Sequence, residues 1–115
     1  YLKSFKNLPI TTQKVEKNFI STYHLFIIKL KNEKLHLKFF NYLRNKKIFV
    51  NLHYLPVHLH PYFKKMGFKS QSYLVSENYS KSALSIPIYP NLSRKEQLKV
   101  IFLVKNFFNK FNAND

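Results

Sequence analysis

Three histidines, two tyrosines and two prolines stand within ten residues, His53-Tyr54-Leu55-Pro56-Val57-His58-Leu59-His60-Pro61-Tyr62, directly after the apolar run Ile48-Phe49-Val50-Asn51-Leu52. Imidazole donates and accepts hydrogen bonds near neutral pH, and phenol hydroxyls do so without charge. A proline-stiffened loop at the end of a strand presents such groups on a rigid scaffold. Three kinds of chemistry suit the cluster. His53, His58 and His60 could ligate a metal, although no Asp or Cys lies nearby and Glu77 is the next carboxylate. They could be structural, with their rings satisfied by backbone carbonyls. Or, with Tyr54 and Tyr62, they could contact a polar, anionic or hydroxylated small molecule. The last is the reading adopted here, and metal ligation and catalysis by this segment are not assigned.

Other polar candidates lie at strand ends. Tyr23 and Tyr89 can reach a ligand with their hydroxyls, or simply pack with a wet hydroxyl. His24 falls in register with Phe26, Ile28 and Leu30, which makes it a core histidine or a further ligand contact. A Ser/His/Asp or Cys/His set is excluded: there is no cysteine, and the only aspartate is Asp115. The single glycine, Gly67, leaves no room for a glycine-rich phosphate loop.

The elements that would hold these residues follow from pattern. Leu2, Phe5 and Leu8 share a helix face that ends at Pro9, so residues 1–10 read as the remnant of a connecting helix. A polar connector over 11–20 leads to a central strand over Tyr23 to Leu30, apolar on both faces. Asn32 can cap a helix from about Glu33 to Lys47, with Leu35, Phe39, Tyr42 and Leu43 buried. A second strand runs from Ile48 to Tyr54, and a short helical turn at Tyr62 to Met66 stops at Gly67. A helix near Leu74 to Leu84 precedes a strand over Ser85 to Pro90, which Pro87 makes an edge or bulged strand. Ser93 and Glu96 form a capping box before a terminal helix striped by Leu98, Ile101, Phe102, Val104 and Phe108. Three strands separated by helices on one face make a two-layer α+β unit.

Bulk composition narrows the function. A chain of 115 residues with 45% hydrophobic and 17% aromatic residues supports one folded domain spanning 1–115. No apolar run is long enough for a membrane span, and the absence of cysteine fits a reducing cytoplasm. The formal charge of +15 suggests nucleic acid, but it comes from 18 Lys and only 2 Arg. Arginine is the residue that recognises phosphate and guanine bidentately, so a lysine-rich nucleic-acid-binding module is kept as the alternative function. The surplus of aromatic residues points to a face covered by another domain or subunit, with a homodimer as one form of that.

Three blocks carry a resemblance: Ser21-Thr22-Tyr23-His24-Leu25-Phe26, Val50 to Tyr62, and Leu84-Ser85-Ile86-Pro87-Ile88-Tyr89-Pro90. In order and spacing they resemble the C-terminal portion of the DegT/StrS family of pyridoxal-phosphate-dependent sugar aminotransferases. Within it, the second block, with Gly67-Phe68 and Ser76-Glu77-Asn78 downstream, looks most like the transaminases of the pseudaminic acid pathway. The resemblance implies the small domain of a type I aminotransferase fold, with a three-stranded, mainly antiparallel sheet. It implies that Tyr23, His24, His53, Tyr54, His58, His60, Tyr62 and Tyr89 contact the substrate. The substrate would be a UDP-linked 4-keto-6-deoxy-N-acetylhexosamine, with glutamate as amino donor, in surface polysaccharide or nonulosonic acid biosynthesis. The lysine that holds pyridoxal 5'-phosphate would lie in a large N-terminal domain outside this chain, so the chain alone would be inactive and the complete enzyme a homodimer. Lys47 departs from the pattern, standing where the family usually has glycine. A lysine there is expected to adopt a left-handed backbone at a cost of about 1 kcal/mol.

Overall fold

Ile28 and Leu84, both fully buried, lie at the centre of a four-stranded antiparallel sheet, and the helices are arranged to cover them. The structure is a computed structural model that describes residues 1–111, so Asp115 lies outside the described residues. The strands are β1 (Ile10–Thr12), β2 (Phe26–Leu30), β3 (Asn51–Leu52) and β4 (Ala83–Ile86), in the spatial order β1-β2-β4-β3. The sheet therefore has four strands, not the three expected. β1 falls partly in the segment read as a polar connector. Its three residues are too few to show alternation, yet Ile10 pairs with Leu30 and is buried. Residues 1–10 are correspondingly helical only over Leu2–Phe5 (α1).

β4 is a central strand, not the edge strand that Pro87 suggested. It ends at Ile86, so the proline's missing N–H falls just beyond the last ladder pair, Phe26 with Ile86. β2 starts three residues later than expected. β3 shrinks to two residues, with Asn51 opposite Ser85 and Leu52 opposite Leu84. Ile48 and Val50 still bury their side chains as the alternation predicted, but Tyr54 is 72% exposed and His53 is buried, because the phase reverses where the strand ends.

Two helices close the core. α2 (His36–Asn45), preceded by a 3-10 turn at Glu33–Leu35, buries His36, Phe39 and Leu43. The Asn32 side chain accepts the Lys34 N–H at 3.0 Å, as the cap predicts. α5 (Arg94–Phe111) begins at the expected capping box, where the Glu96 carboxylate accepts the Ser93 N–H at 2.9 Å and the Ser93 hydroxyl accepts the Glu96 N–H at 3.2 Å. Its buried stripe differs from expectation. Val100, Leu103, Val104, Phe107 and Phe108 face the core, while Leu98 and Phe102 are exposed. The helix is apolar around much of its circumference, and docking of Phe107 and Phe108 on Phe39, at ring distances of 4.8 and 5.3 Å, selects the phase. Between β3 and β4 the chain forms a 3-10 turn at Val57–Leu59 and two short helices, α3 (Pro61–Lys65) and α4 (Leu74–Ser80). α4 ends four residues before the expected Leu84.

Two helix ends share one hydrogen-bond pattern. After α3, Gly67 (φ +95°) lets its N–H donate to Lys64 O and the Phe68 N–H donate to Phe63 O. After α2, the Lys47 N–H donates to Arg44 O and the Ile48 N–H to Leu43 O, and Lys47 sits at φ +60°. Both are Schellman motifs, which favour glycine at the left-handed position. The strain expected at Lys47 is thus present in the backbone. Lys47→Gly should raise stability by about 1 kcal/mol, read as a higher urea midpoint at unchanged slope. A lower midpoint would show that the lysine stabilises this turn.

Candidate functional site

The histidine segment leaves β3 and is shaped by its prolines. Pro56 precedes the 3-10 turn, and Pro61 occupies the first turn of α3, where no N–H is needed. This rigid path sends the three imidazoles to three different places. His53 is 4% exposed, its ring 4.7 Å from that of Tyr54, and its Nε2 is buried with no hydrogen-bond partner. Burial holds its pKa below the ordinary 6.5, so the neutral ring is favoured.

His58 is turned inward. Its Nε2 meets Glu77 Oε1 at 2.9 Å, with both side chains buried, and its ring lies 4.8 Å from Tyr73. Glu77 also accepts the Gln71 N–H at 2.7 Å and the Ser70 hydroxyl at 3.2 Å. The His58 hydrogen bond, followed by those from Gln71 and Ser70, holds the Glu77 carboxyl below its ordinary value against the opposing effect of burial. His58 thus fastens the segment to α4 and does not present a free ring. His60 is exposed, with Nε2 3.2 Å from Leu55 O, and Tyr54 and Tyr62 are exposed beside it. Among the described residues, no group of three His, Cys, Asp or Glu is placed to hold a metal ion.

The remaining expected residues lie elsewhere. Tyr23, at φ +48°, is half-buried and stacks on Phe26 at 6.4 Å. His24 is exposed in the bend before β2. Its expected alignment with Phe26, Ile28 and Leu30 fails because the strand does not extend back to it, so it is not a core histidine. Tyr89 is half exposed and lines a cleft of about 490 Å³ where β4 leaves the sheet and the chain enters β3. Lys47, Phe49, Asn51, Ser85, Leu92, Glu96 and Lys99 line it as well. The partly buried Tyr1 hydroxyl donates to Pro87 O at 2.9 Å, and its pKa is pushed up to about 12 by burial and by Tyr89. The expected contacts therefore do not converge on one pocket within this chain: His53 and His58 are buried, Tyr54, His60 and Tyr62 are exposed, and Tyr23 and Tyr89 border two separate hollows.

Two buried polar placements escaped the sequence reading. His36 joins α2 to β4 through a 3.0 Å contact between Nε2 and Ala83 O, and burial lowers its pKa. Nothing in the α2 pattern marks it, since a histidine on an apolar stripe looks like an interruption. The Glu77 acceptor site could have been suspected, because a lone carboxylate beside Ser70 and Gln71 in a chain with five acids must serve several donors.

The model of the DegT/DnrJ/EryC1/StrS aminotransferase family matches residues 1–105. The chain belongs to that family. It is 28% identical, over 107 residues covering 93% of this chain and 28% of the relative, to the dTDP-3-amino-3,6-dideoxy-alpha-D-galactopyranose transaminase of Aneurinibacillus thermoaerophilus. The DesV crystal structure from S. venezuelae superposes with a TM-score of 0.82 at 27% identity, covering 92% of this chain and 28% of that one. Helicobacter pylori PseC, an aminotransferase involved in the biosynthesis of pseudoaminic acid, superposes with a TM-score of 0.82 at 20% identity, over 96% of this chain and 30% of its own. That likeness shows the fold. The chain spans less than a third of the length of these relatives. No helix among the described residues is long and apolar enough to cross a membrane.

Proposed function

We propose that this DegT-family chain is the substrate-side lobe of a sugar-nucleotide aminotransferase. The carrying observation is the superposition on DesV, at 27% identity over nearly all of this chain and little more than a quarter of the other. The substrate proposed is a keto-sugar nucleotide of the UDP-4-keto-6-deoxy-N-acetylhexosamine type, and glutamate is the amino donor. The orphaned Nε2 of His53 supports a role in contact, because a buried imidazole nitrogen without a partner is a donor or acceptor waiting for one. The exposed Tyr54, His60 and Tyr62 would hydrogen-bond sugar hydroxyls, while His58, held by Glu77, positions them. His24, Tyr23 and Tyr89 would reach the ligand from the strand ends.

The residues of this chain do not fit pyridoxal phosphate by themselves. The one glycine closes the C-terminal end of α3, where the backbone presents carbonyls instead of N–H groups, and the enclosed imidazole of His53 offers no phosphate cradle. When bound in the complete enzyme, the cofactor supplies the electron sink for amino transfer. Its lysine and its phosphate site would come from a large domain, and the complete enzyme would be a homodimer.

Grafting this chain in place of the matching C-terminal part of a DegT-family relative tests the reading. The graft should aminate a keto-sugar nucleotide, the isolated chain should not, and His53→Ala in the graft should lower kcat/KM by about tenfold or more. A graft that folds and takes up cofactor yet aminates no keto-sugar nucleotide would sink it.

A further inference from the structure

Two histidines meet on one carbonyl. The Ala83 oxygen, on the central strand β4, lies 3.0 Å from His36 Nε2 and 3.4 Å from the His53 backbone nitrogen. A carbonyl only accepts, so His36 carries a proton on Nε2 and donates it, while the His53 N–H donates alongside. His36 opens α2 and stands 47 positions before Ala83, so this contact belongs to neither helix nor ladder. All three residues are buried: Ala83 wholly, with His53 4% and His36 5% exposed.

The ladder makes this carbonyl decisive for His53. β3 has only two residues, and its register sets Asn51 opposite Ser85 and Leu52 opposite Leu84. Continued by one residue, the same register sets His53 opposite Ala83, and the 3.4 Å bond is that closing rung. It is longer than the roughly 2.7–3.2 Å usual for an N–H donor. Packing does little to reinforce it, because His36 and Leu52 border a hollow of about 400 Å³ at this end of β3. A ladder that ends on a long bond opens first at that end. The shorter bond from His36 holds the acceptor still, fixing the tilt of the Ala83 peptide from the side of α2. The His53 ring, whose Nε2 has no partner, takes its aim from this rung, since its Cα follows the bonded nitrogen directly.

We propose that His36 is a positioning residue: through the Ala83 carbonyl it fixes the backbone of His53, and with it the place at which the unpartnered Nε2 meets the substrate. The substrate half rests on the aminotransferase reading, whereas the coupling of the two histidines does not.

Three variants separate the hydrogen bond from packing. His36→Phe keeps a ring and loses the donor, His36→Gln carries an amide donor at about the reach of Nε2, and His36→Asn stops one bond short. In the 115-residue chain, imidazole NMR signals titrated against pH should place His53 below 6.5 in the unaltered protein, where burial holds it, and in His36→Gln. In His36→Phe and His36→Asn the ring should be released toward water and its titration should rise toward 6.5, with the amide signals of α5 unmoved to show an intact fold. An identical His53 titration in all four proteins overturns the proposal. An equal rise in His36→Gln does so too, because it would make His36 a packing residue. In the DegT-family graft, His36→Phe should lower kcat/KM by about fivefold, and by less than about twofold once His53 is alanine, because both changes act through one group. Losses that multiply in the two backgrounds would equally overturn it. A graft that aminates nothing before any substitution removes the aminotransferase reading and the substrate half with it, and the titration then decides the coupling alone.

Discussion

Phe107→Ala is expected to remove about 3–5 kcal/mol of stability, whereas Phe102→Ala, five residues earlier on the same helix, should change it by less than about 0.5 kcal/mol. Phe107 is fully buried. Its ring lies 4.8 Å from Phe39, 5.3 Å from Tyr42 and from Phe108, and 4.6 Å from Phe111. Truncation would leave a void bounded by aromatic rings from two helices, and rings cannot collapse into it without breaking their own contacts. Phe102 is 61% exposed and leaves no void. Domains of this size have about 5–15 kcal/mol in total, so the Phe107 variant should be marginally folded or unfolded at 25 °C. Urea denaturation followed by circular dichroism reads both variants. Should Phe102→Ala prove the costlier change, α5 docks in the other phase and the core described above is wrong.

That contrast also shows where the sequence was legible. Val100, Leu103, Val104, Phe107 and Phe108 follow the i, i+3, i+4, i+7, i+8 spacing of an amphipathic face, yet Leu98, Ile101 and Phe102 offer a competing stripe. Periodicity proposes both, and only the partner surface on α2 chooses. Local chemistry was more readable. The Asn32 cap, the Ser93–Glu96 capping box, the glycine stop at Gly67 and the left-handed Lys47 are each determined by neighbours within a few residues. β1 was not, because a three-residue strand exists only through its pairing with β2.

At the site, the sequence located the histidine segment but not the direction of its rings. The sequence let His53, His58 and His60 act together on one ligand, and the 3-10 turn at Val57–Leu59 instead turns His58 inward and leaves His60 exposed. Tyr89 and Lys47 are 42 positions apart in the chain and come together only because β4 runs between β2 and β3. Family membership adds what neither reading supplies, since relatives more than three times as long carry the same fold in a part of their chains.

Removing the Glu77 carboxylate should loosen the histidine segment while sparing the sheet. Glu77→Ala leaves three donors or donor-capable groups, His58 Nε2, the Gln71 N–H and the Ser70 hydroxyl, without their acceptor. Amide exchange should quicken by at least about tenfold across 57–60 and 70–77 and stay unchanged in β4. Acid should act on the same lock. Because the folded protein holds the Glu77 carboxyl below its ordinary 4.5, the unfolded chain binds the proton more readily, and the stability this group contributes is present above 4.5 and lost as pH falls through the folded value. His36 and His53, held below 6.5 mainly by burial, add an earlier loss that starts as pH drops beneath 6.5. The urea midpoint should therefore decline in two stages on acidification, and Glu77→Ala should shrink the second to the part contributed by Glu96, whose carboxyl the Ser93 hydroxyl and N–H also hold below 4.5. A midpoint that holds steady through the histidine range would mean that the two rings are not buried in neutral form. An unaltered decline below 4.5 in the variant would mean that the Glu77 acceptor site does not hold this segment in place.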